Sequence, residues 1–364
     1  MHQQIFHYLQ NAARANHHMA QFHMASCFLN GLGVDQDLTK AAELYRSLAE
    51  NGIPQAQVAL GSYYESGEGV DQDYDAALRW YTKAADQGSE DGRLHFLFLR
   101  GWLSFLGHGI QQSDEAAFAR WQEVSNQSTN RILKPIATHM VGWMHYLGRG
   151  TQLDQEKGIK TIRENKSDDF PFGEDQSLAG RFAEPWNYFD SPASLKFYRL
   201  CKLGSEHDWL CKHLMAVSKI QALGTTEDQI EAAVILEQLA NDGHSDSQFW
   251  AGECYNYGRG VTQDKAKAFE WYNKSADQNN PYGRWRVGWC HYFGDGVATS
   301  FETAVDWWRP LAEQGNRYAQ NALGDCYGYA LGVPHDLNTA ASWYRRSADQ
   351  DLQWAIDNLE RIGM

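Results

Sequence analysis

The chain has 364 residues, 43% apolar and 13% aromatic with 14 Trp, and a formal net charge of -14. That acidic balance leaves no basic excess to neutralise phosphates, which argues against nucleic acid and anionic membranes as partners and favours a basic protein surface. No window reaches the roughly 18 apolar residues of a membrane span, and Met1 to Asn16 lacks a basic segment followed by an apolar one, so a cytoplasmic protein without a secretory signal is expected.

In chain order, residues 1–17 read as a lone capping helix over Phe6 to Ala15. From there a two-helix unit recurs. Asp37, Asp73, Ser113, Asp154, Asp190, Asp228, Asp264, Ser300 and Asp336 stand 36 to 41 residues apart, each able to accept the free N–H groups of a first helical turn. Four residues on comes a small residue (Ala41, Ala77, Ala117, for example), and four further a large one: Tyr45, Tyr81, Trp121, Ile162, Tyr198, Leu236, Tyr272, Trp308 or Tyr344. Small then large at four-residue spacing is one face of a helix, here helix B. Twelve residues before most of these caps lies a second small position: Ala25, Gly61, Gly101, Gly142, Ala216, Gly252, Gly288 and Gly324. Gly180 joins if the fifth unit's loop is two residues shorter. A residue with little or no side chain inside a helix marks close helix contact, so helix A packs here on helix B. Gly-x-Gly ends helix A in most units, as at Gly67 and Gly69, turning the chain into the next cap.

Repeats one to four span 18–167, and repeats six to nine span 206–351. Between them, 168–205 is divergent: AEPWNYFDS (Ala183 to Ser191), with DDFPFGED before it, replaces Gly-x-Gly and marks a kink or a functional insertion, of which a loop of this length favours the kink. Residues 352–364 form a closing helix with Glu360 and Arg361 outward. The stretch Gly61 to Gly88, GSYYESGEGVDQDYDAALRWYTKAADQG, resembles the Sel-one-like repeat family, a relative of tetratricopeptide repeats, and Gly252 to Asn279, Gly288 to Gly315 and Gly324 to Asp351 match about as well. The resemblance implies an all-α fold, a right-handed α-solenoid of about nine two-helix repeats with a capping helix at each end, and an architecture more than a function.

Chemistry is sparse. Cys27, Cys254, Cys290 and Cys326 share one repeat position, two after the small residue of helix A. Equivalent helices stack roughly 8 to 10 Å apart, beyond the ~7 Å reach of a disulfide, so these read as small buried hydrophobes. Asp71, Asp73 and Asp75 imitate a calcium loop, but Ala76 and Thr82 stand where Gly and Glu are needed. His17, His18 and His23 do not share a helix face, and His145 and His291 read as interior. No nucleophile elbow, phosphate loop or metalloprotease motif is present, so neither an enzyme nor a cofactor is expected.

In solenoids of the kind it resembles, helix A lines the concave face. There the chain places aromatic rings that the repeat pattern does not require: Phe98, Trp102 and Phe105; Trp143 and Tyr146; Phe249 and Tyr257; Trp285, Trp289 and Tyr292. The second unit has Gln55, Val58, Ser62 and Glu65 at such positions. The rings read as anchors for a basic protein partner in an aromatic groove, as in an immunity or antitoxin-type neutraliser or an adaptor. The competing readings are a second, self-packed core and a carbohydrate or cell-wall binder, since Trp and Tyr faces also stack on sugars.

Overall fold

The structure is a computed structural model that describes residues 1–180, 191–221 and 225–363, and among them it is all-helical apart from one isolated β-bridge between Ser167 and Phe170. The AEPWNYFDS segment, up to Asp190, lies outside the described residues. Two compact units divide the chain, Met1–Asn165 and Lys166–Met364. The boundary falls two residues before the stretch the sequence marks as divergent.

Unit 1 opens with α1 (His2–Arg14) and continues as four helix pairs: α2 (His18–Asn30) with α3 (Leu38–Glu50), α4 (Pro54–Ser66) with α5 (Tyr74–Asp86), α6 (Glu90–Leu106) with α7 (Asp114–Gln127), and α8 (Leu133–Leu147) with α9 (Gln155–Glu164). Unit 2 begins with an irregular stretch holding one four-residue helix, α10 (Glu174–Ser177), then α11 (Pro192–Gly204). Four pairs follow: α12 (Trp209–Gln221) with α13 (Thr226–Asn241), α14 (Ser245–Tyr257) with α15 (Lys265–Asp277), α16 (Pro281–Phe293) with α17 (Phe301–Glu313), and α18 (Arg317–Tyr329) with α19 (Leu337–Ala348). The closing helix is α20 (Gln353–Arg361). Helices pack on their neighbours in sequence, so each unit is an α-solenoid.

Side-chain caps open the B helices as the spacing predicts at Asp37, Asp73, Ser113, Asp154, Asp264, Ser300 and Asp336, each accepting from a main-chain N–H in the first turn. Two B helices differ. Helix α13 is capped three residues before Asp228, because Thr225 and Asp228 form a reciprocal capping box: the Asp228 N–H donates to Thr225 Oγ1 at 3.2 Å and the Thr225 N–H to Asp228 Oδ2 at 3.1 Å. Helix α11 is capped by Ser191, one residue beyond Asp190. Nor does Gly180 sit in a helix A, since its φ of +65° is left-handed. Among the described residues α11 has no A partner, leaving eight complete pairs and one single B helix.

The small A-helix positions do what the spacing implies. A Cβ on Gly61 would come within 2.5 Å of the Tyr81 ring, one on Gly101 within 2.5 Å of the Trp121 indole and one on Gly252 within 2.5 Å of the Tyr272 ring. Each B-helix ring therefore lies flat on the backbone of helix A. The second glycine of Gly-x-Gly serves the next level of packing: Gly69, at φ +71°, leaves no room for a side chain against the main chain of Leu38 in the preceding B helix. Buried glutamines join the repeats as well. Gln57, Gln248 and Gln320 each donate to the carbonyl oxygen of an alanine eight residues earlier, and accept from Gln87, Gln278 and Gln350 of the following B helix.

One repeat departs from its own rule. The left-handed C-cap of α18 is Ala330, at φ +58°, where the other A helices that end this way have glycine. An L-residue there costs roughly 1–2 kcal/mol, partly offset by the entropy that glycine loses on folding. Ala330→Gly should therefore stabilise unit 2 by about 0.5–1 kcal/mol, read as a higher urea midpoint at unchanged slope.

All six cysteines are free and buried. Burial pushes the thiols of Cys254, Cys290 and Cys326 up to about 12. None of the six should react with Ellman's reagent over minutes in the native protein, and all six should after denaturation.

Candidate functional site: an acidic strap and an open aromatic cleft

The ten aromatic positions singled out by the sequence divide by burial. Phe98, Trp102, Phe105, Trp143, Tyr146, Phe249 and Trp285 are buried, Trp289 and Tyr292 are half-buried, and Tyr257 is 50% exposed. The rings of unit 1 pack on their own repeats: Trp102 lies 5.0 Å from Trp121 and Phe105 lies 5.4 Å from it, both edge-on or tilted, while Trp143 meets Tyr146 at 5.6 Å and donates its Nε1–H to His139 at 3.1 Å. They are core side chains in the folded chain.

A rule explains which A helices carry tryptophan directly after the small position. Where the large B-helix residue is Tyr, the residue after the small A position is polar: Ser26 for Tyr45, Ser62 for Tyr81, Glu253 for Tyr272 and Asp325 for Tyr344. Ser26 Oγ lies 2.8 Å from Tyr45 Oη, Tyr272 donates to Glu253 Oε1 at 2.6 Å, and Tyr344 donates to Asp325 Oδ1 at 2.8 Å. Where the B residue is Trp121, Ile162, Leu236 or Trp308, the same A position is Trp102, Trp143, Val217 or Trp289. A buried phenol needs a hydrogen-bond partner and an apolar side chain does not.

In unit 2 a second feature lies against the A helices. Residues 167–180 form a strap, helical at α10, that is contacted by four successive A helices. Phe170 and Phe172 are buried against Phe197 of α11 at 5.5 and 5.4 Å. Gln221 of α12 donates to the Gln176 carbonyl at 2.9 Å, and the Trp250 indole of α14 to the Ser177 carbonyl at 3.2 Å. Tyr282 of α16 donates to Glu174 Oε1 at 2.9 Å. From α18, Arg317 Nε stands 3.0 Å from Glu174 Oε2, its Nη2 lies 3.3 Å from Asp175 Oδ1, and the Tyr318 hydroxyl donates to that same Asp175 oxygen at 2.5 Å. Glu174 is 2% exposed. Beside the strap, Arg286 Nη2 meets the fully buried Glu253 at 2.6 Å, and Glu253 also backs Gly180. Burial alone disfavours the Arg286 charge, but Glu253 outweighs it and holds the guanidinium above its usual pKa.

What stays open is a cleft of about 360 Å³ past the end of the strap, lined by Trp285, Trp289, Tyr292 and Phe293 of α16, Trp308 of α17, Tyr318 and Asp325 of α18, and Trp354, Asp357 and Arg361 of α20. Three of the predicted anchors meet here, and Tyr257 and the rings of unit 1 are not among its walls. Phe293 is 54% exposed and Trp354 37%, more open than Trp289. The rings form a chain of contacts, Trp285–Trp289 at 5.6 Å, Trp289–Phe293 at 4.6 Å and Tyr292–Phe293 at 4.7 Å. Asp325 and Asp357 give the cleft its negative charge. A cation already sits at its rim: Arg361 is 4.0 Å from Asp325 and 5.2 Å above the Tyr329 ring. Sequence reasoning missed Trp354, because the closing helix was judged by its outward charges alone.

The N-terminal histidines have a structural role at one position: His17 Nδ1 accepts from the Ala20 N–H and caps α2. Among the described residues no group of three metal-capable side chains converges, and no helix is long and apolar enough to cross a membrane.

Comparison with known proteins agrees with the repeat. The Sel1 repeat model matches residues 18–53, 54–89, 135–160, 245–280, 281–316 and 317–352, more than half of the chain. No curated protein matches in sequence. Among solved structures, the chain is similar to a protective antigen present in uropathogenic Escherichia coli strains displaying an SLR fold, at 23% identity over 97% of this chain and 81% of that one, with a TM-score of 0.38. It is also similar to a Sel1 repeat protein from Oxalobacter formigenes (22% identity, 98% and 80% covered, TM-score 0.32) and to yeast Tom70 (11% identity, 98% and 91% covered, TM-score 0.34). Repeats of this kind generally mediate protein–protein interaction and typically serve as non-catalytic scaffolds. On the six matched repeats and the packing they produce, the chain belongs to the Sel1 repeat family.

Proposed function

We propose that the chain is a non-enzymatic recognition protein that grips a basic protein partner through the cleft at the C-terminal end of unit 2. The single observation that carries this reading is the cleft: aromatic rings reach the surface there together, beside the carboxylates of Asp325 and Asp357. Aromatic side chains in a partly formed pocket are the usual anchors of protein interfaces. Carboxylates beside them select a lysine or arginine side chain, which gains from ring faces and charge at once. The net charge of -14 draws a basic partner toward the chain from a distance. Masking a basic toxin, as an immunity or antitoxin-type protein does, fits this chemistry, as does recruitment by an adaptor.

Trp289→Ala with Asp357→Lys tests the reading. Asp357 is exposed and Trp289 only half-buried, so the fold should survive, which circular dichroism and melting check. Partner capture from the native cell should fall about 30-fold or more, equivalent to ~2 kcal/mol at the interface. Undiminished capture by the folded variant would refute the proposal.

A further inference from the structure

The strap of unit 2 is held as a solenoid would hold a foreign peptide. Side chains from α12, α14, α16 and α18 all reach it, donating to two of its carbonyl oxygens and to the carboxylates of Glu174 and Asp175. Every polar group the seat presents in these contacts is a donor, and every strap group is an acceptor. Arg317, 4% exposed, puts a buried cation where, among the described residues, the strap's Glu174 and Asp175 meet it as acids. Phenylalanine side chains on the strap fill the apolar end of the seat against Phe197. Main-chain contacts give such a seat affinity, and the carboxylates and rings give it specificity.

We propose that residues 167–180 are an internal ligand, and that the seat beneath them is a second binding site, for an acidic segment of a partner protein that presents two adjacent carboxylates. In the resting chain the strap keeps this site closed. Tethering gives it an effective concentration of order millimolar, so a short peptide at micromolar concentration does not displace it. A partner that brings the same carboxylates together with further contact area does. The site adjoins the cleft, sharing Tyr318 with it, but takes an anionic segment where the cleft takes a cation, and does not rest on that assignment.

The test uses the full chain and a fluorescein-labelled peptide with the sequence of residues 166–180, followed by anisotropy. The wild-type chain should bind it only above ~100 μM, as tethering requires. The variant E174Q/D175N keeps the shape of the strap and its capacity to accept hydrogen bonds but removes the two charges that meet Arg317. Folded E174Q/D175N should bind the peptide at least tenfold more tightly than wild type, and a peptide with the same Gln and Asn replacements should not compete. Equal binding of both peptides, or no gain over wild type in the folded variant, would overturn the proposal. Should the variant fail to fold, hydrogen exchange on the wild-type chain decides. The Ser177, Leu178 and Ala179 amides are bonded within the strap, to Gly173 and Glu174 carbonyls. They should exchange through a local opening at least tenfold faster than the amides of α14 and α16. Exchange at the same rate as those helices would make the strap a fixed part of the core and end the proposal.

Discussion

Arg317→Met is expected to lower the stability of unit 2 by about 3–5 kcal/mol, the cost of leaving a buried ion pair with one partner removed. The change removes the Arg317 guanidinium from beside Glu174 and Asp175, which it meets at 3.0 and 3.3 Å. The Arg317 Nη1 bond to the Gln350 carbonyl, at 3.1 Å, goes too, and with it a tie from α18 to the end of α19. For a unit of this size each kcal/mol shifts the melting temperature by roughly 2–4 °C, so the drop should exceed about 6 °C. Neutralising the strap in the same chain, as Arg317→Met with E174Q/D175N, should recover part of the loss, because the penalty lies in the uncompensated carboxylates. A single mutant that melts within 2 °C of wild type would show that the strap is not held by these charges.

Acidification should destabilise both units. Burial lowers the pKa of His139 in unit 1 and of His213 in unit 2 to about 3. In the unfolded chain each titrates near its ordinary 6.5, so between about pH 3 and 6.5 the unfolded state binds more protons than the folded one. The stability each neutral imidazole allows is complete above pH 6.5 and is lost as the pH falls through that window. Between pH 7 and pH 5 the loss is about 2 kcal/mol per histidine. His145 and His244, also lowered by burial, act in the same direction. Glu253, whose carboxyl burial pushes upward, acts in the opposite direction and becomes less costly on acidification. Urea midpoints at pH 7 and pH 5 measure the balance. His139→Gln should flatten the pH dependence of unit 1 while leaving that of unit 2 unchanged.

The repeat was legible because each of its features is local. A cap, a small residue and a large one at fixed spacing are enough to state that Asp73 opens a helix and that Gly61 lies under Tyr81. The errors were at places where a distant residue decides. Nothing within ten residues of Asp228 says that Thr225 will start α13 a turn early, since both residues cap well. The strap was harder still: the sequence around DDFPFGED reads as a kink or an insertion and does not name its partners, Trp250, Tyr282, Arg317 and Tyr318, which lie up to 143 residues away. The burial of Trp102 and Trp143 could have been read. The alternation between Tyr with Ser, Glu or Asp and Trp, Ile or Leu with Trp or Val is present in the sequence, and it makes those indoles the apolar half of an internal pair. Trp289 obeys the same rule, but its neighbour Phe293 stays exposed at the edge of the cleft, so at that end alone the pairing leaves a surface for a partner.

The most direct measurement of the account is hydrogen exchange on the chain with and without its captured partner. Slower exchange confined to residues 285–293 and 353–361, with the amides around Asp325, is the predicted result. Protection that falls in residues 1–165, or on the outward faces of α13 and α15, would contradict it and move the recognition surface away from the cleft.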